Sequence, residues 1–181
     1  MNLKLIFSNL ISKFSNDENL KLEYWQEIEK SYSQKSRKYH NLLHLENMIL
    51  ELEPVKDQIL DYETLLFSVF YHDIIYKSTS KDNEEKSAEI AKKSLEKLDI
   101  SSDRVNKIYN QILATKSHQK SKDSDTNFLL YSIYPDFLYN PGRKKVLIHF
   151  LEFDEIFKSD YFKEKYENIA RENLGREIQL L

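Results

Sequence analysis

Apolar residues recur at helical intervals along nearly the whole chain. In "NLKLEYWQEIEKSY" (19–32), Leu20, Leu22, Trp25, Ile28 and Tyr32 fall mostly three or four residues apart, which predicts one buried stripe on a helix. The segment "DYETLLFSVFYHDIIY" (61–76) is apolar nearly all round, and such a helix belongs at the centre of a bundle. A polar break at 77–85 gives way to a surface helix of alternating charge, "SAEIAKKSLEKL" (87–98). Residues 101–118 begin with a capping signal, Ser102 lying three residues before an apolar repeat at Val105, Ile108 and Ile112. A loop follows at 119–125, then a turn-rich connector at 134–143 with two prolines and a glycine. The tail divides into two amphipathic helices, 144–157 and 160–181.

Composition sharpens this picture. Two glycines and three prolines in 181 residues suit helices and starve a β protein of turns. The expectation is an all-α single-domain helical bundle over residues 1–181, with seven or eight helices and no interior linker. The net charge of −3 is interspersed and gives no signal for nucleic acid. Neither a signal peptide nor a membrane span is expected, which makes the cytoplasm the default location. The absence of cysteine excludes disulfides, thiolate metal sites and thiol nucleophiles, so a metal site must draw on His, Asp and Glu.

The candidate chemistry lies with the five histidines. His40 and His44, in "RKYHNLLH", stand one helical turn apart, which predicts a shared helix face. His72 and Asp73 end the most apolar helix, where unpaired polar groups would cost several kcal/mol, roughly, to bury. A cation would satisfy them, and mixed imidazole and carboxylate donors suit Zn, Mn or Fe better than Ca. Taken singly, each of these histidines reads first as a satisfied core or boundary residue. His149, inside "VLIHFLEF", reads as buried or at the boundary. Tyr39, Tyr71 and Tyr76 read as packing residues or pocket walls, and Lys35, Lys38 and the lysines of "GRKK" as solvated groups able to attract phosphate.

Taken together, "RKYHNLLH", "FYHDIIY", "DNEEKSA", "ILATKSH", "GRKKVL" and "ARENL" resemble, in order and spacing, a bacterial group of HD-domain metal-dependent phosphohydrolases. The resemblance runs from Trp25 to the C-terminus, and "YHNLLH" is also similar to a segment of cyclic-nucleotide phosphodiesterases. It implies an HD-like bundle that hydrolyses a small phosphorylated substrate, a nucleotide above all, with water activated at a divalent ion (Mn, Fe, Zn, Ni or Mg). Carried over by position, it implies His44, His72 and Asp73 as metal ligands, with His40 as general acid and Asp73 as the second catalytic group. It also implies Asn83, Glu84 and His118 as groups around the metal or the substrate, and Arg37, one turn before His40, is a candidate to pair with phosphate. For Arg37, a salt-bridged or solvated role is the plain alternative, and for Glu84 a favourable place at a helix N-terminus. The abundant tyrosine and phenylalanine offer surface for a homodimer.

The resemblance breaks in "DTNFLLYSIYPDFLYNPGR", where Leu130 stands at the position of an expected final aspartate ligand and a helix's worth of family sequence is missing. Asp123, Asp125 or Asp136 would have to replace that ligand, Asp125 being nearest by position. The alternative expectation is therefore a catalytically impaired HD-like domain that binds a nucleotide or a protein, or a helical interaction protein with structural histidines.

Overall fold

The computed structural model describes residues 1–37, 39–133 and 143–180, with the side chains of all of these except 143–146, 177 and 180. Among the described residues nine α-helices and no strands occur, so the all-α expectation holds. The helices are α1 (Leu3–Ile11), α2 (Glu18–Tyr32), α3 (Leu42–Leu52), α4 (Tyr62–Tyr71), α5 (Asn83–Leu95), α6 (Ser102–Ala114), α7 (Ser124–Ser132), α8 (Arg143–Leu151) and α9 (Asp160–Leu180). A 3₁₀ turn, Glu53–Gln58, follows α3 directly, with Pro54 at its start where no amide hydrogen is needed.

Short polar side chains set where the helices begin. Asp17, Asn41, Asp61, Ser101 and Asp123 each accept hydrogen bonds from main-chain amides in the first turn of α2, α3, α4, α6 and α7. Three expected boundaries shift, those of α6 and α7 as a result of these caps. The cap of α6 is Ser101 rather than Ser102. The stretch 119–125 is a loop only as far as Asp123, because Asp123 takes both the amide and the hydroxyl of Thr126 and starts α7. The polar break at 77–85 ends early, with α5 beginning at Asn83. Most of the connector expected at 134–143 lies outside the described residues.

Helix α4 is the centre of the bundle, with every residue from Thr64 to Tyr71 buried. Phe7 of α1 packs edge-on against Phe70 at a centroid distance of 4.8 Å and also touches Trp25 of α2 and Tyr71. Helices α5, α6 and α7 close around α4, and α3 packs on α7. Phe162 of α9 stacks on Tyr131 of α7 at 3.5 Å, which joins the tail to the same core. No helix among the described residues is long and apolar enough to cross a membrane.

A buried polar knot fixes the start of α4. The carboxylate of Asp125, fully inaccessible, accepts from the amides of Leu60 (2.8 Å) and Asp61 (3.0 Å) and from Lys107 Nζ (2.8 Å). Asp61 in turn caps α4 and pairs with Arg104 of α6. The other end of α4 stops at Tyr71, short of the expected 76, and the chain turns through His72 and Asp73.

Candidate metal centre

The turn after α4 delivers two of the site's groups together. His72, the C-cap residue, keeps a helical backbone and donates its amide to Ser68 O. Its Nδ1–H donates to Val69 O at 2.7 Å, which fixes the ring and leaves Nε2 as the nitrogen that could hold a cation. His44, in the first turn of α3, brings its own Nε2 to 3.1 Å from that of His72. Asp73 Oδ2 lies 3.0 Å from His72 Nε2 and 4.0 Å from His44 Nε2. Donors held ~2.1 Å from one tetrahedral ion stand ~3.4 Å apart. The three observed separations bracket that spacing, so the buried His44–His72–Asp73 group has the size and donor set of a divalent-metal site.

His40 is not on a helix, against expectation. Asn41 caps α3 by accepting from the amides of Leu43 and His44, so the helix starts after His40 and the loop carries it. Its ring stacks on Tyr76 at 3.9 Å, and Nε2 approaches Asp73 Oδ2 to 3.7 Å. The side chains of His44 and His72 are only 1% and 2% accessible, whereas that of His40 is 24% accessible. His40 therefore sits at the mouth of the cluster and the other two at its floor.

The charges follow from burial and proximity. Burial would raise the Asp73 carboxyl, but the neighbouring His72, together with His40 and His44, holds it far below the ordinary carboxylate range. Burial lowers His72, and Asp73 more than offsets this, leaving it raised. Desolvation pushes His40 down to about 4 despite Asp73, so it is neutral at pH 7. His118 is likewise lowered to about 4, first by burial, and it feels the charges of Asp73 and His72. It follows α6 in a left-handed backbone conformation with φ of 51°, beside the cluster rather than within the ligand group.

The remaining candidates are not members of the His44–His72–Asp73 group. The Arg37 guanidinium is buried rather than solvated, and it makes no salt bridge among the described residues. It donates to the carbonyls of Asp73 and Ile74, which leaves it turned away from any solvent-borne phosphate. Asn83 spends its amide on the main chain of Lys77, accepting from N and donating to O at 3.0 Å each, and so closes the 77–83 loop. Glu84, half-buried in the first turn of α5, makes no hydrogen bond to a site group among the described residues. Asp125 and Asp123 do not replace the missing ligand, because the first is bound to the start of α4 and the second caps α7 and pairs with Lys107 at 3.0 Å. Asp136 lies outside the described residues. Leu130 is fully buried. His149 is exposed rather than buried, against Glu152 and Phe153.

Two site residues escape a reading of motifs: Tyr32 accepts the Asp73 amide at 3.0 Å, and Asn41 sets the start of α3, while Tyr76, read as a packing residue or pocket wall, backs His40. Of these only Asn41 carries a local signal, a capping residue type directly before an apolar run.

Comparison of the chain with models of known protein families, with curated proteins and with solved structures gives no match.

Proposed function

We propose that this protein is a metal-dependent phosphohydrolase acting on a small phosphorylated substrate, with a nucleotide as the favoured class. The observation that carries the reading is the convergence of His44 Nε2, His72 Nε2 and Asp73 Oδ2 in one buried cluster, with the His72 ring oriented from behind by Val69 O. The resemblance to HD-domain phosphohydrolases supports the same assignment of these three residues. A divalent ion held there supplies Lewis-acid polarisation of a phosphoryl oxygen and acidification of water. His40, at the mouth, is the group placed to hold and deliver a proton to a departing oxygen. Its low proton affinity rises as a phosphate dianion approaches, since opposite charge favours the imidazolium.

Purified protein is expected to retain a divalent metal and to release phosphate from a panel of nucleotides or from p-nitrophenyl phosphate. His44→Ala should lose the metal and reduce turnover by about 100-fold or more. Unchanged metal content in both His44→Ala and Asp73→Ala would overturn the metal-centre reading.

A second reading has its own observation. Leu130 is buried where the resemblance calls for an aspartate, and Asp123 and Asp125 are committed elsewhere. A metal-holding domain that binds a nucleotide without hydrolysing it fits those facts. Thermal stabilisation by nucleotides with no phosphate release from metal-loaded protein would select it.

A further inference from the structure

Arg37 lies in the loop between α2 and α3, 95% buried, with no carboxylate in ion-pair range among the described residues. A buried cation without a counter-ion costs several kcal/mol, roughly, unless its donors are well used. Here Nη1 donates to Asp73 O at 2.6 Å and, more weakly, to His40 O at 3.4 Å, while Nη2 donates to Ile74 O at 2.9 Å. Among the described residues Nε is left without an acceptor, so the fork is aimed at this turn at the expense of its own full satisfaction. Tyr32 and Tyr76 flank the guanidinium, their ring centroids 5.1 and 5.8 Å from Cζ.

The two tyrosines extend the grip. Tyr32 accepts the Asp73 amide at 3.0 Å, so the main chain of Asp73 is held on both sides, N–H by Tyr32 and C=O by Arg37. The Tyr76 ring that flanks Arg37 also carries the stacked ring of His40. One guanidinium therefore ties the metal-facing aspartate of one loop to the mouth histidine of another.

We propose that Arg37 is a positioning residue for the metal centre: by binding the Asp73 and Ile74 carbonyls and backing Tyr76, it sets where the Asp73 carboxylate and the His40 imidazole meet the cation. The inference rests on the metal-centre reading above. Substitution of a group that orients a ligand lowers metal affinity by roughly 10–100-fold.

The test is Co²⁺ titration of the chelator-treated protein, followed by visible absorption, for wild type, Arg37→Met, Arg37→Lys and Asp125→Asn. Asp125→Asn is the control, because it loosens the opposite end of α4 and touches no site residue. Arg37→Met is expected to weaken Co²⁺ binding by about 10-fold or more and to change the intensity and position of the ligand-field bands. Arg37→Lys, which still reaches one carbonyl, should fall between Met and wild type, and it gives the readout if the Met variant fails to fold. Asp125→Asn should keep the wild-type affinity and spectrum despite its lower stability in urea. Wild-type affinity and bands in the Arg37 variants would overturn the proposal, as would a parallel loss in Asp125→Asn. Failure of the wild type itself to bind Co²⁺ would instead sink the metal-centre reading beneath it.

Discussion

Asp125 is the residue whose replacement separates a structural from a metal-binding role most cleanly. Its carboxylate is fully buried and holds two main-chain amides at the start of α4 and one lysine. Asp125→Ala strands the amides of Leu60 and Asp61, each having lost a hydrogen bond to a charged acceptor worth about 1.5–3 kcal/mol. Lys107 is discounted, because it is 28% accessible and keeps Asp123 at 3.0 Å. The sum, about 3–6 kcal/mol, overlaps the roughly 3–5 kcal/mol that breaking a buried charged pair usually costs. Against a total stability of about 5–15 kcal/mol, this removes a large share of the fold's margin. Asp125→Asn keeps one acceptor oxygen and should lose less, about 2–3 kcal/mol. Urea unfolding followed by circular dichroism should show a lower midpoint at unchanged slope, with metal content intact in the folded protein. A loss below about 1 kcal/mol in the alanine variant, or metal lost at full stability, would refute the reasoning and return Asp125 to the role of stand-in ligand.

Two further outcomes test neighbouring parts of the same construction. Asn41→Ala should cost about 1 kcal/mol by thermal denaturation, with Asn41→Asp close to wild type, because either side chain can accept the Leu43 and His44 amides. For Asp61, burial favours the neutral acid, but the hydrogen bonds from Arg104 and Thr64 outweigh it and hold the carboxyl below its ordinary value. A value depressed in the folded state gives stability that is present above the ordinary carboxylate range and lost as pH falls through the folded value. The urea midpoint should therefore decline below about pH 4, and Arg104→Met should flatten that part of the curve.

The parts of the site legible in the sequence are those set by neighbours along the chain. His72 and Asp73 are adjacent on a segment too apolar to be anything but central, so their burial follows from periodicity alone. His44 follows nearly as directly, since it lies on an amphipathic run. Spacing alone puts His40 on α3, because it counts residues and ignores Asn41, whose side chain competes for the first amides and starts the helix at Leu42. The start of α7 was hidden for the same reason, the polar run around Asp123 reading as loop where Asp123 is a cap. Arg37 and Asp125 are named by the sequence, but their contacts are beyond its reach, because the main-chain groups they bind lie 36 and 65 residues away and no side-chain pattern announces them.

Helix α4 is held at both ends by groups distant in the chain, Asp125 at its start and Arg37 with Tyr32 just past its finish. A helix ordinarily frays from its termini, and the residues at its last turn are the first to exchange their amide hydrogens. With both termini tied, α4 has no weak end from which to open. Its amides should be exposed only when the segments carrying Arg37 and Asp125 undock as well, in a cooperative opening much rarer than local fraying. The two side chains just beyond its last turn thus inherit the slow clock of the core rather than the fast one of a surface loop.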